Sequence, residues 1–279
     1  MTSIPATRSI TRIFSVSLIL SLALFAAGCA AAPDPNNAAA VAEYSKINDP
    51  AEPTMRKIFE LNRTLDHAIL KPLAGAYKNA VPDLIRESIY NFLNNLRSPI
   101  IFINDILQGQ PRRAMQTLAR FMVNTTVGFL GFNDQAAALG MPYHDEDFGQ
   151  TLATWGAGEG PYLVLPILGP SNPRDTIGMA VDFFMDPINT VMSNLDGDWG
   201  IFAFKGGRAV GFRARYWDEI GDLEKTSLDY YATVRSLYRQ RRNDEIRNGK
   251  PPEMVPGPSI GTKQDIPSPG VADEVSQLR

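Results

Sequence analysis

"PDLIRESIYNFLNNL", residues 82–96, is the stretch whose reading decides the fold. Its apolar side chains, Leu84, Ile85, Ile89, Phe92, Leu93 and Leu96, recur three and four residues apart, the spacing of one helical stripe. Pro82 and Asp83 stand at the N-terminal end, where a helix tolerates a proline and favours an acid. The pattern predicts a helix that Pro99 stops, because the residue before a proline avoids helical angles. Working outward, "PIIFINDILQG" (99–109) is a short apolar helix closed by Gly109. "PRRAMQTLARFMVNTTVG" (111–128) opens on Pro111 and stripes Met115, Leu118, Met122 and Val123. "SNPRDTIGMAVDFFMDP" (171–187) has Ser171 as the expected N-cap and Asp175 in its first turn. Residues 217–247 give the longest expected helix, striped by Trp217, Ile220, Leu223, Tyr231, Val234 and Tyr238, with Arg239, Arg241 and Arg242 near its end. No run alternates convincingly as strands do, so the fold class is mainly α. Such stripes show that a helix has two faces but not whether the apolar face meets protein or lipid. Periodicity alone favours a packed core.

The N-terminus carries a different signal. Arg8 and Arg12 are the only charges in residues 1–28, and Ile13 to Ala27 is apolar apart from Ser15, Ser17 and Ser21. This is the layout of a secretory signal, too short for a membrane span of roughly 20 apolar residues. It ends in "FAAGC", and Cys29 is the single cysteine of the chain. One cysteine makes no internal disulfide and pairs with no other to bind a metal. A small-small-Cys ending resembles a bacterial lipoprotein box, which implies lipid attachment, palmitate included, at Cys29. Ala30 in place of an aspartate points to the outer membrane.

Residues 1–28 hold two arginines and no acid, so the 27 basic and 30 acidic residues of the whole chain become 25 and 30, net −5. That excludes a nucleic-acid binder on charge. Residues 29–47 read as a lipidated, flexible tether and 48–248 as the folded domain. Residues 249–279, with Pro251, Pro252, Pro256, Pro258, Pro267 and Pro269, read as a disordered tail.

"DFGQTLATWGAGEGPYLVLPILGPSNPRD" (147–175) places Gly149, Gly156, Gly158 and Gly160 within twelve residues. The segment is not expected to form a stable helix. "GAGEG" matches neither phosphate-loop pattern. Asp145, Glu146 and Asp147 lack the spacing of a calcium loop. His67 and His144 read as solvent-facing or structural, and no metal or cofactor is expected. No G-x-S-x-G elbow is present, so an enzyme is not expected either.

This stretch is similar to the MlaA family, also called VacJ, of outer-membrane phospholipid-transport lipoproteins. "NDPAEP" (48–53), "FELN" (59–62), "KPLAGAY" (71–77), "NNLRSPIIFINDILQG" (94–109), "RFMVNTTVGFLGFNDQA" (120–136) and "RDTIGMAVDFFMDP" (174–187) follow in the family's order. One departure stands at Thr54-Met55, where the family usually carries Phe-Asn. The resemblance implies removal of mislocalised phospholipid from the outer leaflet of the outer membrane and its delivery to a soluble periplasmic carrier, in association with an outer-membrane porin trimer. It implies a ring of short amphipathic helices in the membrane plane around a polar channel, with a glycine-rich hairpin beside it. The alternatives are a structural lipoprotein tethering porins or cell wall, and a periplasmic phospholipase.

The physical demand agrees with the transport reading. Two acyl chains of roughly 30 CH₂ groups cost on the order of 20 kcal/mol to expose to water. A charged headgroup is costly in hydrocarbon. A carrier path must be polar for the head while the tails stay in oil. Channel-lining residues should then be polar positions on apolar helices: Asn91, Asn94, Asn95, Asn104, Asp105, Asn124, Arg174 and Asp175. By the resemblance, Phe148, Gly149, Gly156, Gly158 and Gly160 form the gating hairpin.

Overall fold

A computed structural model describes residues 47–196 and 198–250. Cys29, the signal segment, nearly all of the expected tether and the tail from 251 lie outside the described residues. Helix α1 (Glu52–Leu65) continues through a π-helical stretch (Asp66–Leu70) into α2 (Lys71–Ala80). Then follow α3 (Asp83–Leu107), α4 (Pro111–Thr126), α5 (Gln135–Ala138) and α6 (Phe148–Thr154). Strands β1 (Leu163–Leu165) and β2 (Gly169–Ser171) form an antiparallel hairpin, with Val164 opposite Pro170. Helices α7 (Pro173–Met185), α8 (Pro187–Asp196), α9 (Asp198–Arg215), α10 (Trp217–Thr226) and α11 (Tyr230–Ile246) complete the chain.

The structure corrects several expectations. Helix α3 does not stop before Pro99; it runs 25 residues through it. An interior proline costs a helix about 3 kcal/mol. Burial of Ser98, Ile100 and Ile101 on either side of it, where α3 packs along α4, offsets that cost. The expected helix over 217–247 is two helices, broken at Ser227–Leu228, with Asp229 capping the second through Ala232 N–H at 3.1 Å. Asn172 rather than Ser171 caps α7, accepting from Asp175 N–H at 2.8 Å. The glycine-bearing segment contains α6, capped by Asp147. The hairpin escaped sequence reading because each strand is three residues long.

One apolar core joins α1, β1 and α11. Ala51, Met55, Ile58, Phe59, Tyr162, Leu163, Val164 and Tyr231 are buried together. Phe59 meets Tyr230 and Tyr231 edge-on, at 5.3 and 5.5 Å. Asn62 clamps the hairpin, donating to Leu165 O at 2.9 Å and accepting from Ile167 N–H at 2.7 Å. At the departure from the family pattern, Met55 is buried and its Sδ accepts from Val164 N–H at 3.2 Å.

Elsewhere the packing is reversed. On α4 the buried residues are Ala114, Thr117, Arg120 and Asn124, while the striped Met115 and Met122 are 61% and 60% exposed. On α3, Leu84 and Ile85 are exposed while Asn95, Ser98, Asn104 and Asp105 are buried alongside Ile100 and Ile101. Periodicity alone favours a packed core for these stripes; in the structure α4 and the C-terminal half of α3 turn polar side chains inward, and the stripe residues are half-buried or exposed. Phe129, Phe184 and Trp199 are likewise exposed. Among the described residues no helix is long and apolar enough to cross a membrane.

Candidate functional site

A charged cavity of about 300 Å³ lies among α3, α7, α9 and α11. Helix α3 supplies Arg97, the segment before α6 supplies Asp145 and Asp147, and α7 supplies Asp175 and Asp182, with Asp186 just beyond its end. Helix α9 supplies Lys205 and Arg208, and α11 supplies Tyr238, Arg241, Arg242 and Glu245. A second cavity of about 630 Å³ lies between α2, α3 and α9, and Arg208 stands on the wall of both.

Arg242 is the hub of the first cavity. Its guanidinium donates to both carboxylate oxygens of Asp147 at 2.6 Å and to Asp175 at 2.8 Å. Burial works against its charge, but these carboxylates hold its pKa above that of an ordinary arginine. Burial likewise pushes Asp147 and Asp175 up, and Arg242 more than reverses this, leaving both carboxyls below the usual range. Tyr238 donates to Asp175 as well. Arg97 pairs with Asp145 at 2.8 Å.

Asp182 behaves differently. It accepts from Phe148 N–H at 3.0 Å and from Asn104 at 3.1 Å. Burial pushes its pKa up to about 6, and these hydrogen bonds only partly oppose the shift. Burial also lowers the pKa of Lys205, against the pull of nearby Asp186, with Arg208 and Arg97 adding like-charge repulsion; burial and Arg97 lower that of Arg208.

The residues expected to line a channel fall into two sets. Asp175 stands on the first cavity wall and Asn94 on the second. The others are on neither wall. Arg174 is buried beside Asp175, bonded to it at 3.0 Å, and Asn91 is half-buried on α3. Asn95 donates to Thr125 at 3.0 Å. Asn104 accepts from Thr151 at 2.7 Å, and Asp105 accepts from Thr117 at 2.7 Å. Asn124 donates to Asp134 and accepts from Ala136 N–H, both at 2.9 Å. These last four form the hydrogen-bonded interior that holds α3, α4 and α6 together.

The expected gating residues also divide. Gly149 lies in α6 and serves close packing: a Cβ on Gly178 of α7 would fall 2.2 Å from Gly149 N. Gly156, Gly158 and Gly160 lie in the loop before β1, outside the strand pair. Gly156 has φ +92° with open space around it, Gly160 has φ +70° against Pro173, and Gly158 has only open space. Phe148 packs edge-on against Trp155 at 5.6 Å.

Asp105, His144 and Glu146 bring potential metal-ligand atoms within 4.8 Å of one another. Arg113 already pairs with both of its carboxylates, 2.5 Å from Glu146 and 3.6 Å from Asp105. His67 is exposed and 3.2 Å from Glu224.

Sequence reading missed Arg97, Asp182, Lys205, Arg208 and Arg242. A signal existed for Asp182: Asp175, Asp182 and Asp186 are seven and four residues apart, the spacing of one helical face on an otherwise apolar segment.

The MlaA lipoprotein family profile matches residues 47–245. A protein of Rickettsia felis without an assigned function is 34% identical over 203 residues, covering 72% of this chain and 79% of that one. The intermembrane phospholipid transport system lipoprotein MlaA of Haemophilus influenzae is 32% identical over 244 residues, covering 86% of this chain and 92% of its own. A solved structure, described as the structural basis for maintenance of bacterial outer membrane lipid asymmetry, superposes with a TM-score of 0.63 at 33% identity, covering 71% of this chain and 98% of that one. Matched by the family profile over most of its length and by a relative across 86% of it, the chain belongs to the MlaA lipoprotein family.

Proposed function

We propose that the protein is an outer-membrane lipoprotein, anchored through Cys29 in the periplasmic leaflet, that takes mislocalised phospholipid from the outer leaflet and passes it to a soluble periplasmic carrier. The observation that carries this reading is the reversed packing: helices that bury Asn, Asp and Arg while exposing Met115, Met122, Leu84 and Phe184. An apolar surround covers such helices at little cost, and the charged cavity offers a headgroup the polar path that hydrocarbon denies it. The relatives' role in intermembrane phospholipid transport supports the assignment.

On this reading the helices lie in the membrane plane around a polar channel, to which Asn94 and Asp175 contribute, and the loop bearing Gly156, Gly158 and Gly160 gates it. A porin trimer is the expected partner in the membrane. Lipid passes without covalent chemistry. The test is a null strain complemented with the wild-type chain, scored for outer-leaflet phospholipid and detergent sensitivity. The null is expected to accumulate outer-leaflet phospholipid, with rescue by the wild type and not by Cys29→Ser. Unchanged lipid asymmetry in the null would overturn the reading.

A further inference from the structure

The charges of the first cavity are unevenly matched. Arg242 is held by Asp147, Asp175 and Glu245, Arg241 by Glu245, and Arg97 by Asp145. Among the described residues, neither Lys205 nor Arg208 makes an ion pair. Lys205 Nζ stands over the ring of Phe183, 5.7 Å from its centroid. On the opposite account stand Asp182 and Asp186. Their carboxylates accept hydrogen bonds from neutral donors, Phe148 N–H and Asn104 for Asp182 and Ile188 N–H at 3.0 Å for Asp186, and neither pairs with a cation. All four side chains line the same cavity. Two unpaired cations and two unpaired carboxylates therefore face one space.

Lys205 and Arg208 stand three residues apart on α9 and so share one face of that helix. At about 30 Å³ per water, a 300 Å³ cavity holds on the order of ten waters, enough for a polar headgroup without its tails.

We propose that this cavity selects a zwitterionic headgroup with a primary amine, the phosphoethanolamine class, with Lys205 and Arg208 taking the phosphate and Asp186, helped by Asp182, taking the ammonium. The proposal rests on the transport reading above and names the head it prefers. A glycerol headgroup brings the phosphate but leaves both carboxylates without a cation. A trimethylammonium head brings charge but no N–H to donate. A buried charge left unpaired is the costly state, so discrimination follows from the carboxylates as much as from the cations.

The test uses the full-length lipidated protein in detergent, incubated with mixed micelles holding equal amounts of phosphatidylethanolamine and phosphatidylglycerol. Retained lipid is counted by native mass spectrometry, and the thermal midpoint of each variant reports folding. Wild type is expected to retain phosphatidylethanolamine in excess. Lys205→Gln with Arg208→Gln should lower retention of both lipids about tenfold, which is about 1.4 kcal/mol. Asp186→Asn keeps an acceptor for Ile188 N–H and should bring the ratio toward one without reducing phosphatidylglycerol. Retention unchanged by the cation variants, or a ratio unchanged by Asp186→Asn, would overturn the proposal. So would a second arm in which inorganic phosphate displaces both lipids equally, the behaviour of a plain anion site. A wild-type protein that binds neither lipid would instead strike at the transport reading itself.

Discussion

Around Phe59 the buried side chains are apolar and the polar ones face outward; around Asn104 the order is reversed. The first region joins α1, β1 and α11 by the rule of a small water-soluble domain, each buried Ile, Phe or Val contributing about 1.5–3 kcal/mol. In the second, Asn104, Asp105, Thr117, Gln108, Glu146 and Thr151 are buried among one another. Burial there gains little by itself, and each polar group left without a partner costs about 1–3 kcal/mol. One region carries its own reason to fold in water, while the other has its apolar side uncovered. The two differ in the surroundings each suits.

The comparison breaks first at its largest expected effects. Phe59→Ala should cost about 3–5 kcal/mol of stability by leaving a cavity between α1 and α11. Arg242→Ala should cost about the same for another reason: it strands Asp147 without a cation and leaves Asp175 only Arg174. Denaturant midpoints in detergent measure both. The distinction lies in rescue. Adding Asp147→Asn and Asp175→Asn should recover much of the Arg242→Ala loss, whereas the same pair added to Phe59→Ala should recover nothing. Equal behaviour of the two backgrounds would erase the contrast.

A smaller effect separates two glycines of one loop. Gly156 sits at φ +92°, so Gly156→Ala should cost roughly 1–2 kcal/mol and disturb lipid asymmetry in cells if the loop gates passage. Gly158 has open space and no left-handed backbone, so Gly158→Ala should stay within about 0.5 kcal/mol. Wild-type asymmetry and stability in both variants would leave the loop a plain connection.

The smallest effect is a slope. Asp182 has a pKa of about 6 against an ordinary 3.8, so the folded state binds a proton more tightly than the unfolded one. Its contribution to stability is present in full below about pH 4 and is lost as pH rises through about 6. Asp147 and Asp175, with lowered pKa values, remain ionised in this window and act only at lower pH. Asp182→Asn should therefore flatten the fall in thermal midpoint between pH 4 and 6. An unaltered slope would show that Asp182 does not titrate there.

Much of this organisation is legible in the sequence. The helical character of residues 83–126 follows from local spacing. The caps at Asp147 and Asp229 are equally local, but the glycines that follow the first and the apolar stripe that runs across the second hide them. Pro99 misleads because its penalty is local and its compensation is tertiary, supplied by packing against α4. The stripe of Met115 and Met122 shows that α4 has two faces, yet a stripe reads the same whether water or hydrocarbon lies beyond it. Of the site, Asp175 is visible as a first-turn acid. Arg242 is not, because its partners stand 95 and 67 residues away and nothing near it distinguishes it from its neighbour Arg241.

The π-helical stretch at Asp66–Leu70 has a consequence for angular phase. An ideal α-helix turns about 100° per residue, so Ala74, nineteen residues past Met55, would point about 100° away from it around the axis. A π turn spends roughly one extra residue without advancing the rotation, and so takes that angle back. Met55 and Ala74, 3% and 0% exposed, consequently both face inward along a rod that never breaks. Five residues thus act as a rotary coupling between the hairpin-facing half of the rod and the half that packs on α9. Removing a single residue from them would leave every hydrogen bond of α2 available and turn its buried face out of register with α9.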